Sequence, residues 1–134
     1  MAGRKFIHLK PDEKKIAERF EKLRILDGEY VYDVHLDVPE VQFPDWYTKK
    51  DIEHWKTLRA KRIDLLVKQK DKHWIIEITP KISKAAIGGV ITYRELYKDQ
   101  YKPGVPVFVG IVCEVDDPAY RFIAEKQGIH VWIV

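Results

Sequence analysis

Two carboxylates stand where an apolar strand has no ordinary use for a charge. Asp64 sits within Arg62-Ile63-Asp64-Leu65-Leu66-Val67, and Glu77 within Trp74-Ile75-Ile76-Glu77-Ile78-Thr79. The polar Lys70-Asp71-Lys72 between these runs predicts a β-hairpin. An even-numbered loop centred on Lys70 and Asp71 would set position 64 opposite position 77, with Cβ atoms about 5 Å apart. Like charges so placed repel unless a proton or a cation lies between them. A hard divalent ion such as Mg²⁺, held by one or two carboxylates and completed by waters, suits that geometry. The spacing also accommodates an alternative, in which one carboxylate faces solvent or pairs with Arg62, Lys68 or Lys81.

The elements that must position these groups follow from the pattern around them. Pro11 suits a first helical turn, and Ile16, Phe20 and Leu23 recur at helical spacing until Asp27-Gly28, which predicts a helix over 11–26. Tyr30-Val31-Tyr32-Asp33-Val34-His35-Leu36 reads as a strand closed off by Pro39 and Pro44. Thr48 with Asp51 resembles a capping box and predicts a short helix over 49–60 carrying Ile52, Trp55 and Leu58. The hairpin strands span 62–69 and 73–79, with Pro80 as terminator. Ser83 is a plausible N-cap for a helix to about Lys98, with Ile87, Val90, Ile91 and Leu96 as its buried stripe. The apolar run 105–113 predicts a strand covered on both faces, in a central or parallel position. Asp117-Pro118 starts a last helix ending at Gly128, and 129–134 supplies a final apolar strand that would be hard to leave exposed. The fold class is α/β (α+β): one domain over 1–134, a mixed sheet flanked by helices in the order α-β-α-β-β-α-β-α-β.

Composition narrows the functional classes. The 134 residues are 46% hydrophobic and fit one domain. The lone Cys113, in an apolar run, reads as a core thiol in a reducing compartment. No stretch approaches the roughly 20 apolar residues that span a bilayer, and the N-terminus is too charged for a signal peptide, so no membrane partner and a cytoplasmic location are expected. Net charge is only +3, but residues 49–72 hold nine Lys or Arg against four Asp or Glu. Lys49, Lys50, Lys56, Arg59 and Lys61, together with Lys84, form a candidate phosphate-attracting set, which a solvated helix face explains equally well. The absence of Asn and the 34% charged residues suggest a thermophilic source. His35, His54 and His73 lack metal-ligand spacing, no Gly-rich phosphate loop is present, and Gly88-Gly89 reads as a close-packing site within a helix. Trp46 and Trp55 are candidates for stacking on bases, whereas Trp74 and Trp132 read as core.

The segment Ile63-Asp64-Leu65, then Ile76-Glu77-Ile78-Thr79, then a helix with Tyr93, all preceded by a first helix, resembles the PD-(D/E)XK nuclease-like superfamily, and its RecB-like branch in particular. The likeness covers about residues 11–113. The stretch Glu77-Ile78-Thr79-Pro80-Lys81-Ile82-Ser83-Lys84-Ala85-Ala86-Ile87-Gly88 is similar to small proteins encoded by tailed phages. The resemblance implies a restriction-endonuclease-like sheet. It also implies Mg²⁺ or Mn²⁺ held by Asp64, Glu77 and the carbonyl of Ile78, activating water against a phosphodiester. The family's lysine, two residues after the Glu, is Thr79 here, and Lys81 is the candidate replacement as a catalytic cation. Its Gln four residues before the helix tyrosine is Gly89, leaving Tyr93 of that pair. Glu18 and Glu21 stand where the family's first-helix acid would be, and both also suit an ordinary exposed face. Two functions follow as expectations. One is a degenerate nuclease-fold module of a phage or virus, acting in the virion, where head meets tail, or on DNA, with other virion proteins or further copies of itself as partners. The other is an active metal-dependent DNA nuclease. A small-molecule enzyme finds no cofactor motif.

Overall fold

In a computed structural model, Pro11 opens the first helix, and the Lys10 amide is closed off by Glu13 Oε1 at 3.0 Å. The structure describes residues 9–37, 42–59 and 61–134, and for 55–59 and 61 it describes the backbone alone. Pro39 and Ala60 therefore lie outside the described residues, as do the side chains of Trp55 and Leu58.

Helix α1 (Pro11–Leu23) ends earlier than its apolar spacing suggests, because Arg24 adopts a left-handed conformation, φ 51°, at the C-cap. Its buried stripe is Ile16, Ala17 and Phe20, whereas Leu23 is 60% exposed and falls outside the core. Strand β1 (Glu29–Leu36) and the short helix α2 (Lys49–Arg59) follow. The expected reciprocal cap of α2 is present: Thr48 N–H donates to Asp51 Oδ2 (2.9 Å) and Asp51 N–H to Thr48 Oγ1 (3.1 Å).

Strands β2 (Lys61–Lys68) and β3 (His73–Lys81) form the hairpin. The β3 strand continues through Pro80 rather than stopping at it. Thr79 pairs with Cys113 and Lys81 with Val115, so proline's missing N–H falls between the paired positions. Helix α3 (Lys84–Tyr101) is capped by Ser83 Oγ, which accepts from Ala86 N–H at 3.2 Å. It runs a turn longer than its aliphatic stripe, because Tyr97 is buried and stacks on Tyr101. The residues it buries fully are Ala86, Val90 and Tyr97, while Ile87, Ile91 and Leu96 are half-buried around them. Strand β4 (Val107–Val115), helix α4 (Pro118–Lys126) with Asp117 as N-cap, and strand β5 (Ile129–Ile133) complete the chain.

The five strands form one mixed sheet in the order β1-β2-β3-β4-β5. The first two pairings are antiparallel and the last two parallel. The apolar β4 strand thus lies inside the parallel half, flanked on both sides, and Cys113 is buried in it. Strand β5 is at the sheet edge, with Ile129 buried but His130 and Ile133 exposed. Helices α3 and α4, the two crossovers between parallel neighbours, cover one face with Ile75, Val109, Ile111 and Cys113. Helix α1 covers the other face over Leu65, Val67, Ile76, Ile78 and Val112.

One close approach in this second layer is testable. A Cβ on Gly110 would come within 2.3 Å of Trp132 Cζ3, because the indole lies across that glycine while packing on Phe20 at 5.3 Å. Gly110→Ala is therefore expected to displace Trp132 and cost about 1–3 kcal/mol of stability in denaturant unfolding. An unchanged unfolding midpoint would show that the indole moves aside freely.

Candidate functional site

The hairpin turn is centred on Lys70 and Asp71, since Lys68 pairs with His73 and Leu65 with Ile76. Continuing that register by one step sets Asp64 across from Glu77. Regular pairing stops there. Asp64, buried at 8% exposure, turns its Oδ2 to accept the Ile78 N–H at 2.9 Å. A side-chain oxygen thus replaces a strand carbonyl where β2 and β3 part, and the carboxylate is fixed by the main chain it separates.

The slip extends to β1. Val31 and Val34 both pack in the α3-side core, as do Ile63 and Leu66, so the alternation of faces shifts by one residue at positions 33 and 64 together. At that point Asp33 takes a left-handed φ of 61°, a conformation Asp tolerates better than most residues. Its Oδ2 accepts from Arg62 Nη1 at 3.0 Å. Asp33 is the member of this region that sequence reasoning missed. The available signal was a single acid in the middle of the aromatic and β-branched run Tyr30 to Leu36.

Glu77, half-buried, faces α3. Its Oε2 lies 3.5 Å from where a Cβ on Gly89 would stand, and Tyr93 Cε2 is 4.0 Å from the same point. Gly89 therefore makes room for the carboxylate, whereas a Cβ on Gly88 would meet no atom of the described residues within 4 Å. Tyr93 senses both acids. Burial, then the Glu77 charge, then the Asp64 charge push its phenol up to about 12. Keeping that phenol protonated adds stability that is complete below about pH 10 and is lost as pH rises through about 12. Glu77→Gln is expected to bring the Tyr93 ionisation part of the way back toward 10. Ring-carbon NMR over an alkaline titration measures it, and an unmoved midpoint would mean the two groups do not interact.

The remaining candidates are placed as follows. Thr79 shares the α3-side face with Glu77 and donates its hydroxyl to the Lys81 carbonyl at 3.1 Å. Lys81 is mostly exposed, and its Nζ lies 3.8 Å from Asp117 Oδ2, toward the start of α4. Glu18 is exposed, and Glu21 accepts the Tyr32 hydroxyl at 3.3 Å on the α1 face of the sheet, away from Glu77. Lys49 and Lys50 are exposed at the start of α2, and Lys84 is exposed at the first turn of α3. Connectivity puts Lys84 at the sheet end where β3 finishes, and α2 is inserted between β1 and β2 at that same end. The side chains of Lys56, Arg59 and Lys61 lie outside the described residues. Trp46 is 76% exposed and packs at a tilt against Tyr47, with ring centroids 4.5 Å apart. Among the described residues, no three or more His, Cys, Asp or Glu side chains gather as a metal-binding group, and no helix is long and apolar enough to cross a membrane.

The arrangement is thus two carboxylates from neighbouring strands, one anchored to the backbone and one lodged against a glycine, with the Tyr93 ring next to that glycine and its phenol within reach of both charges. Such a group can bind a hard cation or hold a proton between acids. No family model matches the sequence, and no curated protein or solved structure matches it significantly.

Proposed function

We propose that the chain is a nuclease-fold protein of a phage or virus that keeps a two-carboxylate divalent-ion site but has lost hydrolysis, and that it serves as a DNA-associated part of the particle. The observation that carries this reading is Thr79. It occupies the position, two residues after Glu77 and on the same strand face, where phosphodiester cleavage in the resembled superfamily uses a lysine, and it brings no positive charge. Gly89, which would be the branch's glutamine, gives up a second polar contact beside Glu77.

The acid pair fits a small hard cation that retains waters rather than an all-protein cage. Asp64 and Glu77 would hold it, with the Ile78 carbonyl as a further oxygen. Bound there, such an ion supplies charge neutralisation at phosphate and a more acidic water. The chain's own groups orient the site: the Ile78 amide fixes Asp64, and Tyr93, whose ring adjoins Gly89, keeps its phenol protonated under the influence of both charges. Lys49, Lys50 and Lys84, at the sheet end where β3 finishes, are the proposed contacts to the DNA backbone.

The test is incubation of the purified chain with duplex and single-stranded DNA in Mg²⁺ or Mn²⁺, together with mass spectrometry of purified particles. The expected outcome is binding without cleavage and stoichiometric presence in particles. Absence from particles would overturn the structural role, and metal-dependent cleavage abolished by Asp64→Ala would establish an active nuclease instead. That second reading has one observation in its favour. Lys81 stays on the strand face of Glu77 and Thr79, and its exposed pairing with Asp117 is of the kind that contributes about 0–1 kcal/mol, so little energy opposes its swinging toward the acids.

A further inference from the structure

The opposite face of the sheet carries a second cluster. Trp74, Phe108 and His130 lie side by side on β3, β4 and β5, near the strand starts and on the α1 side. Trp74 pairs directly with Phe108, and His130 pairs with the side-chain-free Gly110. The rings are in mutual contact: Trp74–Phe108 at 5.2 Å, Trp74–His130 at 4.9 Å and edge-on, and His130 stacked on Trp132 at 5.9 Å. Cover by α1 is graded along this face. Ile76 and Val112 are fully buried and Ile78 is 1% exposed, whereas Phe108, at the end of the row, is 39% exposed and His130 is exposed too.

This aromatic end is bordered by cations. Lys72 Nζ sits 5.6 Å from the Phe108 ring centroid. Lys68, Lys70 and Lys72 line a cleft of about 520 Å³ that runs beside Trp74, against Asp27 and Asp71. Glu125 borders the far side of His130. An exposed aromatic surface across adjacent strands, with lysines along one rim, matches the two needs of an unpaired nucleic acid: π-faces for bases and cations for phosphates. Face-to-face pairing of two copies sets lysine rim against lysine rim in one orientation and against the Glu125 edge in the other, so charge favours the phosphates of an unpaired strand over a second copy in the first orientation only.

We infer that this face binds single-stranded nucleic acid, with bases stacking on Phe108 and His130 and the backbone following Lys70 and Lys72. The site is separate from the carboxylate pair and does not rest on the function proposed for it. The test uses the full chain and fluorescein-labelled dT15, rU15 and a 15-base-pair duplex, read by anisotropy at several salt concentrations. Both single strands are expected to bind, and the stronger of the two identifies DNA or RNA as the natural source. Phe108→Ala is expected to weaken binding roughly tenfold, and Phe108→Trp to preserve it. Lys70→Glu with Lys72→Glu is expected to weaken it and to reduce the salt slope by about 1.4, from about 0.7 for each phosphate that no longer meets a lysine. Phe108 is exposed, so circular dichroism should find these variants folded. The inference is overturned if neither single strand binds, if binding ignores all these changes, or if Phe108→Ala instead abolishes self-association. Loss of duplex binding in Lys49→Glu with Lys50→Glu, while single-strand binding persists, would bear on the proposed function alone.

Discussion

Thr79→Lys is expected to raise Mg²⁺-dependent DNA cleavage by roughly 100-fold or more over the unaltered chain, the usual contribution of one positioned proton-transfer or charge-stabilising group. Thr79 is half-buried on the strand face of Glu77, two residues beyond it, so a lysine there projects toward the acid pair without leaving the sheet. The substitution removes one hydroxyl bond to the Lys81 carbonyl, in an exposed setting. It adds an ammonium beside two carboxylates, an attraction that helps hold the new side chain in place. Cleavage of a labelled duplex, compared with the Thr79→Lys, Glu77→Gln double variant and with chelator, separates the effect from contaminating nuclease. No increase would mean that catalysis lacks more than the cation. Full activity before the change would put the active-nuclease reading first.

The second large effect concerns Asp64, whose charge and hydrogen bond can be separated. Asp64→Asn keeps an oxygen for the Ile78 N–H but removes the charge that would bind an ion. Asp64→Ala leaves that buried amide without its acceptor, at a cost of about 1–3 kcal/mol. In the unaltered chain, Mn²⁺ at about 100 times its Kd should stabilise folding by about 2.7 kcal/mol. Asp64→Asn should reduce the ion affinity by at least roughly 100-fold, the upper end of what losing even an outer-shell partner costs, and so cut the stabilisation to about 0.4 kcal/mol or less. Thermal unfolding with and without Mn²⁺ gives both quantities. Equal stabilisation of the two proteins would place the ion elsewhere.

Much of the architecture was legible because local chemistry and global pairing agree. Pro11, Ser83 and Asp117 start helices where their types suggest, and Lys70-Asp71 centres the turn and thereby fixes the register of the hairpin. Other features depend on groups that meet only in three dimensions. Pro80 reads as a strand end in the sequence, but its position between two residues paired with β4 lets the strand continue. The slip at Asp33 and Asp64 needs both strands at once, and neither sequence run alone distinguishes a shifted acid from an alternating one. The destination of Lys81 is set by Asp117, thirty-six positions away in the chain. Leu23 fits the helical spacing but lies outside the core, because Arg24 ends the helix before that turn packs. The aromatic row on the α1 face was half visible. Trp74 and Trp132 read as core, but the exposure of Phe108 depends on where α1 stops covering the sheet.

All of the proposed ion chemistry requires Asp64 and Glu77 to hold one hard ion jointly. A crystal soaked in Mn²⁺ and measured at the manganese absorption edge decides whether they do. A single anomalous peak is expected about 2.1 Å from an oxygen of each carboxylate, with waters completing the shell. A peak bound to other groups, or two carboxylates bridged by a proton with no ion between them, would refute the shared site.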